Sequence, residues 1–219
     1  MTEQQVLYIY YVIIGFAAVA ALYRLRKTDR ATRFLCLFIL YALVNEILSA
    51  YSISLFRNNY ILSNLYDYIS FILLGTFFYL SAEHKKAGRL VLVLLIAGMA
   101  ALPLNILLFP DFSSVHQYLT EQISGFLILV IALYTIYNMV LRDDEAVIYR
   151  IPLFWIATVF VFYQLVNLWG RSAYHPFELR LENDYFYFII LGINILLYSL
   201  LGVFLWRYSR MKLNVHERR

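Results

Sequence analysis

The sequence predicts an all-α, polytopic membrane bundle of seven transmembrane helices, N-terminus outside and C-terminus inside. Three observations predict it. The 219 residues are 63% hydrophobic and only 15% charged, with a mean hydropathy of +0.69, outside the range of an ordinary soluble domain. Apolar runs recur at 6–23, 34–56, 61–81, 90–109, 119–141, 152–170 and 185–207. A hydrocarbon core of about 30 Å takes roughly 20 apolar residues per helix, so seven crossings leave only short loops and one domain, 1–219. Finally, fifteen of the eighteen Lys and Arg residues fall in alternate loops and the tail: Arg24 to Arg33, Lys85 to Arg89, Arg142, Arg150, and Arg207 to Arg219. Arg57, Arg171 and Arg180 alone lie on the other side, and the positive-inside rule turns that asymmetry into an orientation in the inner (plasma) membrane. The net charge of +4 is thereby a matter of topology, implying a lipid bilayer and no nucleic acid as partner.

Each run has its own features. Met1 to Gln5 carry no positive charge, and the first run is followed by Arg24, Arg26 and Lys27, the reverse of a cleavable signal peptide, so it is expected to stay as a helix. The second carries Asn45 and Glu46 near its middle, with Ser49 and Ser52 continuing the Asn45 face at i+4 and i+7. The third places Asn64 and Asp67 one turn apart. The fourth contains Pro103, expected to kink it, and ends before Pro110. The fifth opens with Glu121, Gln122 and Ser124. The sixth starts at Pro152 and sets Gln164, Asn167 and Arg171 on one face beside Tyr163 and Trp169; the seventh aligns Tyr187, Asn194 and Tyr198.

An internal echo links the two ends of the chain. Asp67-Tyr68-Ile69-Ser70-Phe71-Ile72-Leu73-Leu74-Gly75 resembles Asp184-Tyr185-Phe186-Tyr187-Phe188-Ile189-Ile190-Leu191-Gly192, and Leu43-Val44-Asn45 resembles Leu165-Val166-Asn167. Against chance matching of short apolar strings, this suits a 3+1+3 pseudo-repeat joined by the fourth helix.

Ionisable and amide side chains inside such helices are expensive and face protein or water. Those of this chain converge on the outer half of the bundle, which predicts a polar, aromatic-lined cavity open to the outside. Its candidate ligand contacts are Glu46, Asp67, Asn45, Tyr163, Gln164, Asn167, Asn194 and Glu121. Plainer readings stand beside these: amides and hydroxyls cross-bond helices, and Glu121 in a first turn complements the helix dipole. Glu46 and Asp67 lead because a carboxylate at that depth must be neutralised, paired or hydrated. Tyr8, Tyr10, Tyr11, Tyr23 and Trp206 read as an interfacial belt. Cys36 is the lone cysteine, so no disulfide forms within the chain. His84, His116, His175 and His216 all fall in loops or the tail, and neither a metal nor another cofactor is expected, although His116 and His175 on the outer side remain candidates for a metal or pH response. No nucleophile elbow, Walker loop, HExxH or CxxC occurs, and no catalytic residues are assigned.

Lysines occur only at 27, 85, 86 and 212, which excludes a rhodopsin with its Schiff-base lysine in the seventh helix. Size and topology resemble small facilitators of the PQ-loop class, but there is no Pro-Gln pair and no proline in the first or fifth helix. Pro152-Leu153-Phe154-Trp155-Ile156, followed by Tyr163 and Asn167 and joined by an acid in an aromatic third helix, resembles an uncharacterised group of bacterial seven-helix membrane proteins often found beside sensor histidine kinases. That group is expected to have glutamate where this chain has Asp67. The resemblance implies a sensory or regulatory protein that binds a small or lipophilic ligand and signals through a membrane or cytoplasmic partner. A transporter or channel using the intramembrane carboxylates, and a lipid-modifying enzyme using them as general acid and base, are the alternatives.

Overall fold

A computed structural model describes residues 3–57, 59–82, 84–108, 118–141, 148, 151–177 and 183–207, without the side chains of 3, 56, 101–108, 118, 119, 170–177 and 183–187. Pro110, Arg142, Arg150, Arg180, His116, His216 and the basic tail from Arg210 lie outside the described residues, as do the side chains of Arg171, His175 and the Asp184 to Tyr187 part of the internal echo. The described chain forms α1 (Glu3–Leu25), α2 (Arg30–Phe56), α3 (Tyr60–Ser81), α4 (Lys85–Leu108), α5 (Tyr118–Val140), α6 (Pro152–Phe177) and α7 (Asn183–Arg207). Six of these are long and apolar enough to cross a membrane: all but α4, whose side chains are described only to Ala100.

Several helices outrun their apolar cores. α2 begins at Arg30 rather than 34 because Asp29 caps it: its carboxylate accepts from the Thr32 hydroxyl at 2.6 Å and the Thr32 amide at 3.4 Å. α4 starts at Lys85, and is helical through Pro103; α6 continues past 170 to Phe177. Polar residues add a turn wherever caps and dipoles favour it, and hydropathy is blind to that. Arg57 ends α2 in the left-handed region, φ 58° and ψ 11°, with its amide donating to the Ile53 carbonyl at 3.0 Å.

The helices close into a ring. α1 packs on α2, α2 on α3, α3 on α5, α5 on α6, α6 on α7, and α7 returns to α1. α4 is set apart, docked against α3 and α5, so it bridges the two sequence halves without entering the ring. Exchanging α1–α3 for α5–α7 maps this neighbour order onto itself. Small residues permit the approaches: a Cβ on Gly202 of α7 would lie 3.2 Å from the Ala17 Cα of α1, and one on Gly98 of α4 would collide with the Phe71 ring.

Inside and outside are reversed relative to a soluble protein. Asn64 and Asn167 are buried at 1% and 8%, while Val12 is 72% exposed, and Phe162 and Val93 also face outward. An outer surface of that kind calls for lipid as its solvent. Along the bundle axis the interior divides in two. The half containing the C-terminal ends of α1, α3, α5 and α7 is dry and aromatic, with Phe38, Phe77, Phe78 and Phe160 buried. There the Phe160 ring sits edge-on to Phe38 at 5.9 Å and to Phe78 at 6.0 Å. The other half is polar.

At the dry end, buried Arg24 of α1 donates from Nε to the Leu205 carbonyl and from Nη2 to the Trp206 carbonyl, both at 2.9 Å. These are terminal carbonyls of α7 that the helix itself leaves unsatisfied, and the cation lies at the negative end of the α7 dipole. Arg24→Met should destabilise the protein by about 1–3 kcal/mol in a thermal melt in detergent, because it strands both carbonyls, and Arg24→Lys should recover part of that loss by satisfying one.

Candidate functional site

The polar half holds a cavity of about 380 Å³ to which every helix of the ring contributes: Tyr10 from α1; Asn45, Glu46 and Ser49 from α2; Tyr60, Ser63, Tyr66 and Asp67 from α3; Glu121 from α5; Tyr163 and Asn167 from α6; Ile190, Asn194 and Tyr198 from α7. Asn59, just before α3, completes the lining. Convergence follows from direction. Positions early in α1, α3, α5 and α7 and late in α2 and α6 share one end of an alternating bundle.

Seven of the eight residues singled out from the sequence, Glu46, Asp67, Asn45, Tyr163, Asn167, Asn194 and Glu121, line this one cavity. The eighth, Gln164, lines an adjoining, deeper cavity of about 60 Å³, which shares Tyr66, Asp67, Glu121, Tyr163 and Asn167 with the first and is floored by Phe38 and Phe71. Gly125 of α5 makes room for Gln164: a Cβ there would come within 2.9 Å of its Oε1. Glu121 thus sits in the first turn of α5 and on the cavity wall at once, so its dipole role and its place in the site coexist.

Tyr10 overturns an expectation. Rather than joining the interfacial belt, it is 4% exposed and donates its phenolic hydrogen to Glu46 Oε1 at 2.7 Å, an ordinary O–H···O distance. Its ring lies 6.2 Å from that of Tyr198. The Tyr198 hydroxyl in turn lies 3.1 Å from the Tyr66 hydroxyl, and Tyr66 is stacked on Tyr41 at 5.7 Å with 18° between planes. A chain of phenols thus joins α1, α2, α3 and α7 across the cavity wall. Tyr23 and Trp206, 54% and 57% exposed, keep positions suited to a belt, with Lys27 Nζ 4.0 Å from the Tyr23 ring centre.

Tyr66 and Ser63 also escaped the sequence reading. Their signal is the i, i+3, i+7 stripe Ser63, Tyr66, Ser70 on α3; the first two line the larger cavity and the last two the smaller. Asn167 is anchored to its own helix, its amide nitrogen donating to the Tyr163 carbonyl at 3.0 Å. Ser49 is 7% exposed, lines the larger cavity, and its Oγ has no hydrogen-bond partner among the described residues. Among the described residues no group of three or more His, Cys, Asp or Glu is disposed to hold a metal ion.

No family model, curated protein or solved structure matches this chain.

Tyr10→Phe strips Glu46 of a donor and should lower stability by about 1–3 kcal/mol, whereas Glu46→Gln keeps an acceptor for Tyr10 and should cost less. A double-mutant cycle of Tyr10→Phe with Glu46→Leu, which removes the acceptor, read by thermal unfolding should give a coupling of about 1 kcal/mol between the two positions; additive losses would mean that the bond contributes nothing.

Proposed function

We propose that the chain is a seven-span protein of the plasma membrane, N-terminus outside and C-terminus cytoplasmic, that binds a small ligand in the cavity and relays its occupancy to a membrane or cytoplasmic partner. The charge distribution supports the orientation, and the helix-six motif Pro152 to Ile156 with Tyr163 and Asn167 supports a sensory role by resemblance.

One observation carries the relay. α1 holds Glu46 through Tyr10 at the cavity and holds the C-terminal carbonyls of α7 through Arg24 at the opposite end. Fourteen residues separate the two, or about 21 Å along the helix axis. A ligand that competes with Tyr10 for the Glu46 carboxylate acts on the helix whose other end secures α7. Such a ligand shifts the bundle only in so far as it prefers one arrangement of α1 to the other. With loops as short as 26–29, output passes through a partner docked on the helices.

A second reading, a carrier, is favoured by the ring. Its neighbour order repeats between α1–α3 and α5–α7. The echoed asparagines Asn45 and Asn167 stand on corresponding helices of the two halves and line the same cavity. That is the disposition of a duplicated unit about an axis along the membrane normal, with the site between the repeats.

The test is mass spectrometry of small molecules and lipids retained by the purified protein, beside Glu46→Gln and Asp67→Asn. The expected result is a ligand kept by the wild type and lost from both variants. An empty wild type together with unaltered stability of the variants would refute the binding reading. Flux of the recovered ligand into proteoliposomes separates carrier from sensor.

A further inference from the structure

We propose that the ligand of this site is a short-tailed amphiphile, with a polar body in the larger cavity and an unbranched alkyl end of about three carbons in the smaller one. The inference rests on the binding reading above and adds the shape and chemistry of what is bound.

The two cavities differ in kind. Among the described residues lining the larger one, only Ile190 lacks a side-chain oxygen or nitrogen. The smaller one shares Asp67, Glu121 and Asn167 with it, yet also meets Phe38, Phe71, Leu74, Ile128 and Leu168. Register sorts these groups by depth. On α3 Leu74 follows Asp67 by seven residues, and on α5 Ile128 follows Glu121 by seven, or about 10 Å along each axis. On α2, which runs the opposite way, Phe38 precedes Asn45 by the same interval. The smaller cavity is therefore polar where the two adjoin and apolar at its floor.

That gradient orients a ligand. A polar group pushed to the floor would lose its water and face Phe38, Phe71, Leu74 and Ile128, none of which can bond it. Water itself is ill suited to that end, because a buried water needs about two to four polar partners. An alkyl group gains there instead, roughly fourfold in affinity for each methylene removed from water.

Size limits the tail. An apolar cavity of about 150 Å³ takes a benzene ring. One of about 60 Å³ admits a short file of carbons and excludes both a ring and the acyl chain of a membrane lipid. The polar body has more room: about 380 Å³ lies within the range of small-molecule sites, roughly 300–1,000 Å³. Two lining residues offer control of the tail's length. A Cβ on Gly125 would come within 2.9 Å of Gln164 Oε1, so Gly125→Ala takes up room at the smaller cavity, whereas Ile128→Val frees the space of one carbon at its floor.

The experiment titrates homologous series into the purified full chain in nanodiscs, by calorimetry, with protein-free nanodiscs subtracted. The probes are n-alkyl glucosides, n-alkylamines and n-alkanoates of one to eight carbons, so that neutral, cationic and anionic heads are all presented. In at least one series affinity should climb roughly fourfold per carbon to a tail of about three or four carbons and then level or fall. Partition into lipid has no such break. Gly125→Ala should move the break about one carbon shorter and Ile128→Val about one carbon longer, opposite shifts that general destabilisation does not produce; either variant carries this test if the other does not fold. Affinity that is flat along every series, that climbs past six carbons, or whose break ignores the folded variants overturns the tail assignment and leaves the binding reading in place. Retention of no small molecule by the wild type, with no response to any series, overturns both.

Discussion

The polar cavity is ringed by helices only because the first helix meets the last. Five of the six contacts around the ring join helices that are neighbours in sequence or are bridged by α4; the sixth, α7 on α1, spans nearly the whole chain. It is built for closeness rather than for apolar burial, since lipid competes for every apolar surface. Ala17, Ala18, Ala20 and Ala21 are buried along α1, the Cα of Ala17 facing Gly202 of α7. Arg24 then ties the pair at the dry end through two backbone carbonyls. α1 and α7 run parallel, so their C-terminal dipoles point the same way and repel, and one guanidinium between those ends offsets both.

The polar end obeys a related constraint. Side chains turned inward need partners inside, because the outer face offers none. Tyr10 with Glu46 and Tyr66 with Tyr198 meet that requirement by pairing groups from different helices, so the same bonds that satisfy the interior also set the spacing of the cavity wall. Apolar packing alone would let helices rotate about their axes; a phenol on a carboxylate does not.

The sequence made legible whatever depends on single helices. Apolar runs located the elements, and inward polar residues on α2, α3 and α6 pointed to one end of the bundle because each of those helices carries polar groups on a definite face. α1 is different. It is apolar on every side, with Tyr8, Tyr10 and Tyr11 spread around it, so no periodicity singles out the tyrosine that faces inward. Tyr10 is identified only once α2 is placed beside it. The order of the ring was hidden for the same reason: nothing in the composition of α4 distinguishes a helix docked outside from one within. Helix ends were hidden by capping, as at Asp29, which acts through hydrogen bonds that hydropathy does not register.

A sensor and a carrier would share this cavity and differ in what becomes of its floor. Phe38 and Phe71 close it, and Phe160 wedges against Phe38 and Phe78 beneath. Fully exposing four such rings to a water-filled path would cost on the order of 10 kcal/mol at about 1.5–3 kcal/mol per side chain. Splaying the helices is therefore no route through the protein. A carrier would have to keep the rings buried by rocking α1–α3 against α5–α7, and that motion breaks the contacts of Phe160 in α6 with Phe38 in α2 and Phe78 in α3, the aromatic bridge between the two halves. A sensor needs no such rupture. It can leave the aromatic layer intact and pivot α1 about it, since Tyr10 and Arg24 lie on either side of that layer. The dry half of the bundle thus weighs towards the sensor, the repeated order of the ring towards the carrier, and the packing of Phe160 is where the two part.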